Sequence, residues 1–158
     1  MWSSAQHIAR LVNGELLNGT EDDRQITGFS IDSRTIHPNE FFLAIPGSNV
    51  DGHNFVSDAF DNGAVVAVIE HDLSLDMATI GPLIKVPNTL TALQQLAHQL
   101  RKQFDIPILG ITGSTGKTTT KELLFHILTS WRKTFRSPGN YNSEVGLPLA
   151  VLQMPEST

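Results

Sequence analysis

At 158 residues, with 40% hydrophobic and 17% charged side chains, the chain has the composition of a soluble globular protein of one domain or two small ones. A formal net charge of −5, without a basic run or an aromatic-basic stripe, excludes a binder of nucleic-acid backbone. With no cysteine there is no disulfide framework, thiolate metal site or cysteine nucleophile. The MWSSAQHIARL start lacks a leader pattern, and no window approaches about 18 apolar residues, so a cytosolic protein that does not insert in a membrane is expected.

In chain order, Ser4 is placed to cap a short helix through Leu11, which Asn13-Gly14 ends. Glu15 to Leu17 is a short strand, and Asn18 to Asp23 a polar, acidic turn region. Ile26, Phe29 and Ile31 form an extended segment running into Asp32-Ser33-Arg34. These three residues offer an acceptor, a hydroxyl and a guanidinium that suit a nucleotide, while Asp and Ser also make turns unaided. Both readings stand at this point.

Phe41 to Ile45 is an apolar strand stopped by Pro46-Gly47, and the turn-rich stretch from Gly47 through Asp51 and Gly52 to His53 reads as a surface loop. Phe55, Val56, Ala59 and Phe60 then mark one face of a helix ending near Asn62-Gly63. Ala64 to Ile69 is a valine-rich run of the kind buried on both faces of a sheet. Leu83 to Val86 is a further strand, cut off by Pro87. Asn88 caps a helix from Thr89 to Phe104 with an apolar stripe through Leu93, Leu96, Ala97, Leu100 and Phe104. Asp105-Ile106-Pro107 ends it and marks the expected domain boundary, giving domains 1–104 and 105–158.

The second part opens on ILGITGSTGKTTTKELLFHILTS, Ile108 to Ser130. A short strand (Ile108 to Thr112), a turn with two glycines and a helix opening on Lys117, Thr118 and Thr119 make the order a phosphate site needs. Gly113 and Gly116 let the main chain approach an anion, Ser114 and Thr115 lie between them, Lys117 supplies a mobile charge, and the Thr118 hydroxyl is placed for Mg²⁺. The general pattern asks for a glycine where Ile111 stands, which argues against a P-loop kinase. A plain glycine turn with Lys117 solvated is the alternative. Lys133 to Arg136 is expected as a second strand, Ser137 to Asn140 as a turn, and the last helix as Leu147 to Leu152 with Pro148 in its first turn. None of the six histidines pairs with another at i,i+3 or i,i+4, so no zinc site is expected, and His98 and His126 read as ordinary helix residues. Strands alternating with helices predict an α/β fold.

GITGSTGKTTTKELL resembles the ATP loop of the Mur ligases of bacterial cell-wall synthesis. GNYNSEVGLPLAVL, from Gly139 to Leu152, is similar to the segment that marks their last peptide-adding member. DSRTIHPNEFFLAIPGSNVDGHNFVSDAFDNGAVVAVIE resembles their uridine-nucleotide-binding N-terminal domain. One departure is Thr115, where many members carry asparagine. The resemblance implies an N-terminal uridine-nucleotide-binding domain and the first β-P-loop-α-β-α part of a parallel-sheet ATPase domain. It implies an ADP-forming ligase of peptidoglycan precursor synthesis that uses ATP and Mg²⁺ and joins D-alanyl-D-alanine to a UDP-N-acetylmuramoyl-tripeptide through an acyl phosphate.

The roles it implies are phosphate binding by Gly113, Ser114, Thr115, Gly116, Lys117, Thr118 and Thr119, Mg²⁺ ligation by Thr118, and nucleotide or substrate contact by Asn140 and Asn142. Asp32, Ser33, Arg34, Gly47, Asp51, Gly52 and His53 would hold the uridine diphosphate end. A monomer is expected. The sister ligase that adds a diamino acid and a non-catalytic nucleotide-binding module are the alternatives. Family members have a complete central domain and a closing C-terminal domain. The expectation is therefore of an N-terminal fragment that binds the uridine nucleotide weakly and does not catalyse ligation by itself.

Overall fold

The computed structural model describes residues 2–18, 25–73, 80–139, 141 and 143–155. They form two compact units, Met1–Leu96 and Ala97–Thr158. In the first, helix α1 (Ala5–Leu11) begins where the Ser4 side chain accepts the His7 N–H, as the cap position dictates. Five strands follow: β1 (Glu15–Leu17), β2 (Gly28–Ser30), β3 (Glu40–Leu43), β4 (Ala64–Ile69) and β5 (Leu83–Lys85). Helix α2 (Val56–Asp61) lies between β3 and β4 in the chain, and α3 (Thr89–Arg101) follows β5.

The sheet order is β1-β5-β4-β3-β2. Strands β2, β3, β4 and β5 run parallel, and β1 closes one edge antiparallel to β5 with Glu15 opposite Lys85. The apolar run of β4 belongs where it lies, because a parallel neighbour on each side leaves both its faces to be covered by apolar packing. Alternation along β3 splits its two phenylalanines between the faces. Phe42 packs with Val56 and Ala59 of α2, Ala67, Ile69 and Leu83. Phe41 meets Trp2 edge-on at 5.6 Å and Phe29 at 5.8 Å.

Glu70, just past β4, reaches the start of α3. Its Oε2 accepts from the Thr89 N–H at 2.7 Å and the Thr89 hydroxyl at 2.9 Å, while Asn88 Oδ1 accepts from the Thr91 N–H at 2.8 Å. The expected asparagine cap is thus joined by a carboxylate, which suits the positive end of the helix dipole. Helix α3 stops at Arg101 rather than Phe104. The Arg101 guanidinium donates to the Phe104 and Ile106 carbonyls, so the chain leaving the helix finds its donors in a side chain.

In the second unit α4 (Lys117–Thr129) and α5 (Gly146–Leu152) form as expected, with Pro148 inside the first turn of α5. The strands expected at Ile108 to Thr112 and Lys133 to Arg136 are not formed: both segments are free of strand pairing. A strand exists only by its ladder, and no described residue supplies one here. Helix α4 buries none of its residues, with Leu123 and Ile127 59% and 56% exposed. Among the described residues, no helix is long and apolar enough to cross a membrane.

Candidate functional site

The Gly113–Gly116 turn has the backbone that its two glycines allow. Gly113 (φ 149°) and Gly116 (φ 78°) both occupy the region that side chains with a Cβ avoid. Around Gly116 there is open space, so its glycine answers to conformation and not to crowding. Gly116 is the N-cap of α4 and offers no side chain to the helix, whose first bond inside this turn is Thr120 N–H to Gly116 C=O at 2.9 Å. The opening N–H groups of a 13-residue helix are therefore left to whatever sits before it. Lys117 folds back and donates to the Gly113 carbonyl, bracing the turn and keeping its charge over the loop.

Ser114, Thr115, Thr118 and Thr119 are exposed. Thr118 also borders a cleft of about 390 Å³ lined by Lys121, Glu122, Arg136, Ser137, Pro138 and Gly139. Backbone donors, a flexible cation and a hydroxyl at the start of a helix fit a nucleoside triphosphate with its Mg²⁺. Asn140 and Asn142 lie outside the described residues.

The first unit brings its predicted residues together in two clusters. In one, Asp32 caps a 3-10 turn, Ser33–Thr35, accepting the Arg34 N–H at 3.0 Å. Arg34 also grips both carboxylate oxygens, Nε to Oδ1 at 2.9 Å and Nη2 to Oδ2 at 2.7 Å. The Arg34 side chain and its N–H together hold the Asp32 pKa down at about 2. Ser33 is buried, and its carbonyl accepts from the Asn62 side chain at 3.1 Å. Arg34 itself is 85% exposed and, although paired, presents its remaining donors to solvent. Turn-making and ligand-presenting readings of this segment are therefore compatible.

The second cluster refines the sequence reading. Gly47 to Val50 is exposed, as a surface loop should be, but the stretch ends in a 3-10 turn, Gly52–Phe55, whose His53 is only 3% exposed. A Cβ on Gly52 would meet the Ile45 N at 2.7 Å, and one on Gly47 the Val50 carbonyl at 2.8 Å, so both glycines are there for close backbone approach. His53 Nε2 accepts from the Glu70 N–H at 2.9 Å, which places the ring proton on Nδ1, 2.7 Å from Asp51 Oδ1. His71, which no sequence spacing singles out, stacks on His53 with centroids 3.8 Å apart.

Asp51, His53 and His71 bring three potential ligand atoms within 4.8 Å of one another, the grouping that the absence of local histidine pairs argued against. Both ring nitrogens of His53 are nonetheless committed to protein partners, and stacked rings do not aim their lone pairs at one point. The cluster is a hydrogen-bonded strut and not a metal centre.

His71 Nδ1 lies 3.2 Å from the Asp72 carbonyl and Nε2 lies 3.1 Å from Asp51 Oδ2. Both partners are acceptors, so the surroundings favour the protonated ring, which can donate from both nitrogens. The Asp72 carbonyl first, and then Asp51, raise its pKa above the ordinary histidine value. The His53 N–H, ahead of the two rings, holds Asp51 at about 2. A histidine pKa raised by folding adds stability that is full below the unfolded pKa and is lost as pH rises through the folded one. Urea midpoints are therefore expected to fall as pH rises above the ordinary histidine value of about 6.5 in the parent and to flatten there in His71→Gln. The change is small, since the His71 side chain is 52% exposed. An unchanged slope in the variant would show that His71 is not the titrating group.

Two units, one with a mostly parallel sheet and the other opening on a Gly-Lys-Thr turn and helix, make a modular α/β protein. The family description "Mur ligase family, catalytic domain" matches residues 25–101 and "Mur ligase middle domain" matches residues 111–158, and the chain belongs to the Mur ligase family. Among relatives, the UDP-N-acetylmuramoyl-tripeptide--D-alanyl-D-alanine ligase of Bacillus subtilis is 38% identical over 156 residues, 98% of this chain and 34% of that protein. The enzyme of the same name from Escherichia coli K12 is 31% identical over 147 residues, 93% of this chain and 31% of that one. A crystal structure of MurF from Acinetobacter baumannii superposes with a TM-score of 0.89 at 32% identity, covering 99% of this chain and 34% of that one. MurF ligase from Thermotoga maritima in complex with ADP gives 0.70 at 36% identity, covering 79% and 28%. The chain spans about a third of the length of these relatives. The α/β fold class read from the sequence, with its Mur-ligase N-terminal and middle domains, is the observed one.

Proposed function

We propose that this chain carries the uridine-nucleotide-binding part and the ATP phosphate loop of a ligase that adds D-alanyl-D-alanine to UDP-N-acetylmuramoyl-tripeptide. The observation that carries the reading is the uncapped start of α4 behind a Gly113–Gly116 turn braced by Lys117, in a chain whose relatives include an ADP complex. The names of the relatives favour the dipeptide-adding ligase over its diamino-acid-adding sister. Residues 1–104 form the uridine-nucleotide domain and 105–158 open the ATP domain. The protein acts as a cytoplasmic monomer, without nucleic acid or membrane insertion.

When bound, ATP supplies the phosphoryl group that turns the tripeptide carboxylate into an acyl phosphate. The amine of D-alanyl-D-alanine then forms the amide and releases phosphate. The protein's own share is positioning and charge neutralisation. The N–H groups of Gly113, Ser114, Thr115, Gly116 and Thr119 cradle phosphate oxygens, Lys117 neutralises them, and Thr118 is the Mg²⁺ ligand. Asn140 and Asn142 contact nucleotide or substrate.

In the first unit Arg34 engages the uridine diphosphate, Asp32 and Ser33 fix the turn that presents it, and Gly47, Asp51, Gly52 and His53 shape the adjoining loop. Calorimetric titration tests this. The chain should bind UDP-N-acetylmuramoyl-tripeptide and MgADP independently, and Arg34→Ala should weaken the first about tenfold while leaving the second unchanged, the loss of one charge-assisted contact. Equal affinity of Arg34→Ala and parent for the uridine nucleotide would remove Arg34 from the site.

A further inference from the structure

We propose that Lys121 is a positioning residue of the phosphate site: its ammonium ties residues 136–139 to α4 and so sets the wall of the cleft that faces Thr118. The inference rests on the reading of Gly113 to Thr118 as an ATP phosphate loop. Lys121 Nζ donates to the Ser137 carbonyl at 3.0 Å and the Gly139 carbonyl at 2.8 Å, and its side chain is 19% exposed. Two of its three donors are thus spent on main-chain oxygens two residues apart, and the positive charge strengthens both bonds.

A second tie acts beside it. Arg136 pairs with Glu122, and its guanidinium lies 4.4 Å from the centre of the Phe125 ring. Lys121, Glu122 and Phe125 share one face of α4 at spacings of one and four, and Thr118 lies on that face one turn nearer the helix start. The loop is therefore fastened along the face that leads to the Thr118 hydroxyl. Gly139, at φ 47°, takes the left-handed conformation within the clasp, and the Tyr141 N–H closes the turn onto the Pro138 carbonyl at 3.3 Å.

The division of labour between the two lysines follows. Lys117 braces the turn before the helix and keeps donors for a ligand, whereas Lys121 directs its charge at protein carbonyls and at Glu122, 3.9 Å away, and acts on the ligand only through the wall it holds.

The test compares the 158-residue chain with Lys121→Ala, Lys121→Met and Lys121→Arg by amide hydrogen exchange and by MgADP titration. Methionine keeps the apolar stem and removes only the donors, so it decides the matter if alanine disturbs folding. Arginine can again serve two carbonyls. Exchange at Ser137, Gly139 and Tyr141 is expected to quicken about tenfold in Ala and Met, MgADP affinity to fall by about the same factor, and Arg to restore both to within about twofold. Binding of UDP-N-acetylmuramoyl-tripeptide should not change in any of them.

Unchanged exchange in Lys121→Met overturns the clasp, and a loosened loop with unchanged MgADP affinity overturns its role in positioning. Failure of the parent chain to bind MgADP would instead overturn the nucleotide reading, and the exchange comparison would still decide the clasp.

Discussion

Replacing Lys117 with alanine is expected to raise the dissociation constant for MgADP about 100-fold, about 2.7 kcal/mol, while leaving binding of the uridine nucleotide and the unfolding midpoint near their parent values. The ammonium is the one flexible cation in the Gly113–Thr119 loop, and a charge-assisted contact to phosphate accounts for a loss of that size. Some affinity survives because the N–H groups at the start of α4 belong to the backbone and outlast the substitution.

Stability is spared for a different reason. The bond from Lys117 to the Gly113 carbonyl lies at a half-exposed position, so water replaces the lost donor at little cost. Calorimetry on both ligands with a urea melt separates the three quantities. Equal loss of both ligands, or a large fall in stability, would mean that Lys117 serves the fold and not the phosphate.

The second large effect belongs to the interior of the first unit. His53→Ala should destabilise this unit by about 2 to 4 kcal/mol, the cost of a cavity and of two broken, partly buried hydrogen bonds. The Glu70 N–H loses its acceptor, Asp51 loses the ring donor at 2.7 Å, and His71 loses the ring it stacks on. Glu70 also caps α3, so its displacement reaches the Thr89 bonds and weakens a second element.

The loop from Gly47 to Asp51 should loosen, and affinity for the uridine nucleotide should fall with it even if His53 itself never touches ligand. A urea melt followed by titration of that nucleotide reads both. A variant as stable as its parent would show that the buried imidazole carries no weight.

The contrast between those two residues shows what was legible in the chain. Lys117 could be placed at the start of α4 because the features that put it there are local: a turn with glycines at fixed offsets, then the start of a helix, all within a few residues. The same locality made Ser4 and Asn88 readable as caps and Ala64 to Ile69 as a buried strand, since helix capping and side-chain periodicity are set by neighbours in sequence. His53 was legible only as a loop residue with a polar side chain. Its partners Glu70 and His71 come from beyond the far end of β4, and the sheet register brings them there.

Glu70 as a cap for Thr89 and Lys121 as a clasp for Ser137 and Gly139 are hidden for the same reason, bridging separations of 19, 16 and 18 residues that no window encodes. The strands expected at Ile108 to Thr112 and Lys133 to Arg136 show the converse. Their apolar and extended character is local, but a ladder needs a partner, and pairing is decided by the whole fold. The sequence by itself thus determined the glycine turn before α4, the helix starts and the central strand. Only the tertiary structure decided which polar groups meet, because hydrogen bonds between distant segments depend on where the packed sheet and helices bring the backbone.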